Sequence, residues 1–145
     1  MHDSAEENLF NILYLARCLA SVDGEYHPDE QKAFKNLVEV LGVDVERLKH
    51  FFQQNTPIPV ALKKLQTREE KLLLVDILLV MASVDNEFTE KEKLFFSKVT
   101  DQIGVDLQDH PFFHEGEMVE VQEISNNFQV FIGNIKSKAE ALFSN

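Results

Sequence analysis

Leu9, Ile12, Leu13, Ala16, Leu19 and Ala20 recur at the i, i+3, i+4, i+7 spacing of a single helical face. The stripe predicts an amphipathic helix ending near Val22, where Gly24 suits a left-handed stop. Pro28 fits the first position of a second helix, whose apolar residues Phe34, Leu37, Val38 and Leu41 run to another stop at Gly42. Further on, Thr67-Arg68-Glu69-Glu70 and Thr89-Glu90-Lys91-Glu92 both have the form of a capping box, in which hydroxyl and carboxylate exchange hydrogen bonds with each other's backbone N–H. The first should open a long helix through Leu72, Val75, Leu78, Leu79 and Ala82, and the second a helix ending at Gly104. Asp44 and Asp106 read as N-caps of a third helix. The clear break, Asn55-Thr56-Pro57-Ile58-Pro59, leads to a short helix near Val60–Leu65. His110 to Gly116 reads as a connector, and Ile124, Phe128, Phe131, Ile132, Ile135, Ala139 and Leu142 mark a last helix. No segment alternates with period two. The predicted fold is all-α, with about seven or eight helices.

The pattern is duplicated. Residues 20–44 repeat without a gap as 82–106, and ten of these 25 pairs are identical: Ala20, Ser21, Val22, Asp23, Glu25, Glu30, Phe34, Gly42, Val43 and Asp44. Asn86 stands where the first copy has Gly24, and it is the next best residue for positive φ. A fixed repeat of this kind defines architecture, here a doubled helical hairpin. The chain of 145 residues divides into repeat one at about 9–54, repeat two at about 68–114 and a C-terminal helix at about 119–143, within a single domain.

Charge narrows the choice of partners. The formal net charge is −11, and no Lys or Arg lies between Lys98 and Lys136. That interval holds Asp101, Asp106, Asp109, Glu115, Glu117, Glu120 and Glu123. Such a surface repels phosphate backbones, which argues against nucleic acid and leaves a basic protein partner or a divalent cation. The single cysteine, Cys18, forbids an internal disulfide and fits a reducing compartment. The most apolar run, Leu72 to Val84, is too short for a membrane span of roughly 20 residues and is interrupted by Asp76. With no basic region and apolar stretch at its start, the sequence predicts no secretory signal and a cytosolic location.

Candidate chemistry concentrates at the two hairpin corners, which carry Asp23, Glu25 and Glu30 in one copy and Asp85, Glu87 and Glu92 in the other. Glu30 and Glu92 fall at the third helical position, where a capping box or the helix dipole accounts for them. Glu25 and Glu87 occupy a turn that tolerates any solvated residue. Asp23 and Asp85 follow a helix C-terminus, where a negative charge is unfavourable by roughly 0.3–1 kcal/mol. Two readings remain for them: each bonds backbone N–H groups ahead and fixes its turn, or carboxylates from both corners bind a hard cation such as Ca²⁺ or Mg²⁺. An EF-hand is excluded. A loop starting at Asp23 would need Gly at Pro28 and Glu at Phe34, and the second copy holds Glu90 and Phe96 at those places.

An apolar helix, then Ala-Ser-Val-Asp-Gly-Glu, then Glu30, a second apolar helix and Leu-Gly-Val resembles the tellurite-resistance TerB family over roughly residues 9–106. The resemblance implies a single TerB-like domain with two halves related by pseudo-twofold symmetry. It also implies a cytosolic bacterial protein tied to tellurite or other chemical stress, not an enzyme, whose clustered acids bind metal. The motif Asp falls on Asp23 and Asp85, and the motif Glu on Glu30 and Glu92.

Other residues draw weaker readings. Asp76 lies in the most apolar helix and shares a face with Ser83, as Tyr14 does with Ser21 in the first copy. With halves packed about a twofold axis, the Tyr14 hydroxyl could meet the Asp76 carboxylate as a structural contact, because a buried carboxylate requires a partner. A hydrolytic or transferase use of Asp76 is the minority reading. His110 and His114 have zinc-ligand spacing if helical, with Glu115 or Glu117 completing a site, but Pro111 and Gly116 suggest a turn. Cys18 reads as a buried, inert thiol. Phe112 and Phe113 suit either a core plug or a docking knob. There is no Gly-rich phosphate loop, nucleophile elbow or Cys-pair motif. The sequence therefore predicts a non-enzymatic domain that binds a cation at its corners or docks a basic partner through 99–135.

Overall fold

Capping chemistry sets the ends of most of the helices in the computed structural model, which describes residues 2–22, 28–83, 89–104, 113–114, 117–118 and 128–143. Among these residues the helices are α1 (His2–Ala20), α2 (Pro28–Leu41), α3 (Val45–Phe52), α4 (Ile58–Lys63), α5 (Arg68–Ser83), α6 (Glu90–Ile103) and α7 (Phe128–Phe143). The fold is all-α. One small addition, an antiparallel pair of two-residue strands, joins β1 (Phe113–His114), within the segment read as a connector, to β2 (Glu117–Met118) just after it.

Both capping boxes form. Thr89 Oγ1 accepts from the Glu92 N–H at 3.1 Å, and Glu92 Oε1 accepts from the Thr89 N–H at 2.9 Å. Thr67 and Glu70 make the same exchange, each at 3.1 Å. Asp44 caps α3 by accepting from Glu46 and Arg47; Asp106 lies outside the described residues. Gly42 and Gly104 end α2 and α6 at φ +68°. At Gly42 the N–H groups of residues 42 and 43 return to the carbonyls of Glu39 and Val38, a Schellman closure. The short linker helix starts at Ile58, two residues earlier than expected. Pro59 sits in its first turn, where its missing N–H costs nothing.

The duplication is expressed in the backbone: α2 and α6 coincide residue for residue at the repeat offset. Contacts follow the same exchange. α1 packs on α6 as α5 packs on α2, α4 on α6 as α7 on α2, and α1 on α4 as α5 on α7. Each half thus reaches across into the other, with α7 filling in the second half the place of α4 in the first.

The most extensive helix pair is α1 with α5. Asn8, early in α1, meets its own repeat counterpart Glu70, in the first turn of α5. From that contact both helices lead into their buried runs, Ile12 to Ala20 and Leu73 to Ala82. α5 has almost nothing before Glu70, so a large interface forms only if the two helices run in the same direction. Their C-terminal ends, at Ala20 and Ser83, therefore lie toward one end of the core. α5 is enclosed on every side: Leu73, Leu74, Val75, Ile77, Leu78, Leu79 and Val80 have no exposed surface. The apolar run around Asp76 is thus a central helix of the core, and no described helix is long and apolar enough to cross a membrane.

Candidate functional site at the helix corners

Two of the six corner carboxylates have described environments. Asp23, Glu25, Asp85 and Glu87 lie outside the described residues. Glu30 and Glu92 occupy the third position of α2 and α6, and both are buried, at 3% and 5% exposure. At a helix start the free N–H groups and the positive end of the dipole favour a carboxylate, which explains why it is tolerated there. Glu92 also completes its capping box with Thr89. In the first copy, His27 stands where the second has Thr89. Glu30 therefore keeps the burial of Glu92 without the hydroxyl that completes the box.

The parallel course of α1 and α5 bears on how the corners relate. Each corner joins a C-terminal end, of α1 or α5, to the N-terminus of α2 or α6 a few residues on. The connecting residues 23–27 and 84–88 themselves lie outside the described residues. Among the described residues no group of three or more Asp, Glu, His or Cys is placed to hold a metal ion.

Elsewhere the buried Asp76 and the half-buried Tyr14 and Cys18 have structural partners. Asp76, 3% exposed, pairs with Lys138 of α7, whose Nζ lies 2.5 Å from Oδ2. The expected contact with Tyr14 is not made. The Tyr14 ring packs edge-on to Phe51 and beside Phe52 of α3, and its hydroxyl bonds the Cys18 thiol. Burial pushes the Cys18 thiol up, outweighing the Tyr14 hydrogen bond and the nearby Arg17. Burial, together with Cys18, likewise raises Tyr14. A half-buried thiol held protonated is a poor nucleophile, in keeping with an inert Cys18. Of the His110–His114 pair, His114 lies in β1 and not in a helix, and His110 lies outside the described residues.

Three polar residues went unnoticed in the sequence. Lys138 falls on the apolar stripe of α7, between Ile135 and Leu142, where a lysine signals a buried acid opposite it. Asn8 and Asn11 interrupt the α1 face that continues through Leu15. Asn8 Nδ2 donates to Glu70 Oε2 at 2.8 Å. Asn11, 1% exposed, has an amide nitrogen with no hydrogen-bond partner.

A duplicated helical-hairpin domain, with parallel central helices and a buried glutamate at the third position of each second helix, defines the class. Residues 10–111 match the family described as "Tellurite resistance protein TerB", and the chain belongs to that family. The match begins within α1, covers α2 through α6 and leaves α7 outside it. Comparisons with curated proteins and with solved structures give no significant match.

Proposed function

We propose that this TerB domain acts without catalysis in the response to tellurite or related chemical stress in the cytosol, and that carboxylates from its two corners bind a divalent cation. Asp23, Glu25 and Glu30 from one copy, with Asp85, Glu87 and Glu92 from the other, are the candidate ligands. The observation that supports this reading is that Glu30 and Glu92 are both buried, at matching positions of the two repeated helices. Oxygen-only donors select hard cations, so Ca²⁺ or Mg²⁺ is the expected ion. A cation would also offset the negative ends of α1 and α5, beside which Asp23 and Asp85 follow in sequence.

Calorimetric titration with Ca²⁺, Mg²⁺ and Zn²⁺ tests this on the natural chain and on an Asp23→Asn/Asp85→Asn variant. Saturable Ca²⁺ or Mg²⁺ binding that is lost in the variant supports it. No saturable binding at millimolar metal refutes it, and binding that survives in the variant moves the site elsewhere.

The second reading is an acidic module docking a basic protein, favoured by the seven acids of the interval 99–135 with no Lys or Arg among them. Binding of a Lys/Arg-rich peptide, weakened by salt and indifferent to the Asp23/Asp85 variant, would distinguish it. An enzymatic role for Asp76 has less support, because Lys138 already accounts for its charge. Turnover lost in Asp76→Asn with the fold retained would reinstate that role.

A further inference from the structure

The repeat lets the seat of one helix be compared with its own copy. α1 packs on α6 as α5 packs on α2. In the second of these pairs, Leu73 of α5 is fully buried and Val38 of α2 is 5% exposed. Their repeat counterparts in the first pair are Asn11 of α1 and Thr100 of α6, 1% and 8% exposed. Two apolar residues are thus exchanged for polar ones that stay buried.

The neighbours of α1 fix which way Asn11 faces. Phe10 and Tyr14 turn to Phe51 and Phe52 of α3, Leu9 borders a hollow with Ala139 of α7, and Asn8 reaches Glu70 of α5. Glu7, one turn before Asn11, borders Lys64 and Gln66 just beyond α4. Among the described helices, α4 and α6, which pack on each other and on α1, are left to cover Asn11. Its amide nitrogen finds no hydrogen-bond partner there. Thr100 does not supply one, because its hydroxyl turns back to the Ser97 carbonyl of its own helix at 3.0 Å. An orphaned buried amide regains water when its contact opens, which favours the open state about fivefold relative to an apolar contact.

α6 is nonetheless secure as a helix. The Thr89–Glu92 capping box starts it, Gly104 ends it in the left-handed conformation, and Lys93 lies 3.6 Å from Glu90 on its surface. Phe96, Val99 and Ile103 are buried and hold it in place most of the time. A well-formed helix on a seat with an unsatisfied donor moves as one piece.

We propose that α6 is a rigid arm that transiently leaves its seat on α1 and α4 while α2 stays fixed. α6 follows the second corner in sequence and carries Glu92 in its first turn, so each excursion displaces one candidate ligand from the first copy. The motion is a property of the seat, and only its gating of a cation rests on the corner site proposed above.

Methyl relaxation dispersion on the full chain without metal reads such excursions on the μs–ms timescale. Val99 and Ile103 of α6 should show exchange, and Leu37 and Val38 of α2 should not. Amide hydrogen exchange along α6 should be no faster than along α2, because the helix survives the excursion. Asn11→Leu should lower the excursion population about fivefold and flatten the Val99 and Ile103 profiles. No dispersion in α6, equal dispersion in α2, or dispersion that survives Asn11→Leu would each overturn the proposal. Faster amide exchange along α6 would replace the rigid arm by local unfolding. Where calorimetry finds bound Ca²⁺ or Mg²⁺, saturation should quench the α6 dispersion, and dispersion indifferent to a bound cation would overturn the gating. Absence of any binding would refute the corner site, while the metal-free dispersion would still decide the arm.

Discussion

Replacing Glu70 by alanine removes more than a helix cap, because this carboxylate joins the two halves as well. Glu70 is 7% exposed. Its Oε1 accepts from the Thr67 N–H at 3.1 Å, the Thr67 hydroxyl at 3.0 Å and the Gln66 N–H at 3.3 Å. Its Oε2 accepts from Asn8 Nδ2 of α1 at 2.8 Å. Loss of the cap costs about 1 kcal/mol. Leaving the part-buried Asn8 amide and two N–H groups without their ionised acceptor adds about 2 kcal/mol, less than the sum of separate bonds because water re-enters. Glu70→Ala should therefore cost about 3 kcal/mol, or about 10 °C in Tm at this chain length. Glu70→Gln keeps one carbonyl oxygen for the Thr67 and Gln66 donors, and Asn8 can turn its own carbonyl toward the new amide; it should cost about 1 kcal/mol. Urea unfolding followed by circular dichroism measures both, and a cycle with Asn8→Ala isolates the tie between α1 and α5. If Glu70→Ala costs no more than Glu70→Gln, or the cycle shows no coupling, the carboxylate is a surface cap and not a link between the repeats.

Asn11→Leu should raise stability by about 1 kcal/mol in the same assay, since it removes an orphaned buried amide and its repeat counterpart is the fully buried Leu73. Gly42→Ala and Gly104→Ala should each lower stability by about 1 kcal/mol, through left-handed strain alone, because no neighbour stands within 4 Å of either added Cβ. Lys138→Leu should cost about 2 kcal/mol by removing a cation from a buried carboxylate, whereas Asp76→Leu/Lys138→Leu should leave urea stability unchanged or higher and broaden the amide spectrum. Cys18 should react with iodoacetamide at neutral pH far more slowly than the urea-unfolded chain does. Burial raises its thiol above the unfolded value, so its contribution is complete below the unfolded pKa and is lost as pH rises through the folded one; stability should fall in alkali, and less so in Cys18→Ala.

The helices were legible because local chemistry and hydrophobic period agreed on them. Thr67, Thr89 and Asp44 each make the cap their neighbours imply, and Gly42 and Gly104 stop their helices in the left-handed conformation that glycine tolerates. The contacts between helices were less legible. The repeat implied equivalent halves, but not that α2 would pack on α5 and α7 while α6 packs on α1 and α4. Tyr14 illustrates why. Its spacing from Ser21 matches that of Asp76 from Ser83, yet the ring goes to the Phe51–Phe52 cluster, since aromatic burial outweighs one polar contact. The corners were legible as motifs, and Glu30 shows where the motif falls short of explanation. It is buried like Glu92, although His27 replaces the threonine whose cap accounts for the second copy.

α5 poses a specificity problem that its apolar residues leave open. From Leu73 to Ala82 it is buried on all sides, so rotating it about its axis would exchange one apolar face for another at little cost. Only two of its well-buried residues carry charge, and each points to a different neighbour: Glu70 to Asn8 of α1, and Asp76 to Lys138 of α7. A rotation by a third of a turn would pull both carboxylates from their partners and bury them against hydrocarbon, at several kcal/mol each. The pair thus excludes the alternative orientations that the leucines permit, even if the ion pair adds little net stability. That selection matters for function because α5 leads into the second corner. With its rotation set by Glu70 and Asp76, the direction in which the chain leaves Ser83 relative to the end of α1 is set as well. The cation site proposed above would draw carboxylates from both copies and so depend on that alignment; on that proposal, the broadened amide spectrum expected of Asp76→Leu/Lys138→Leu should be accompanied by weaker Ca²⁺ or Mg²⁺ binding in calorimetry, although the substitutions lie well before the corner.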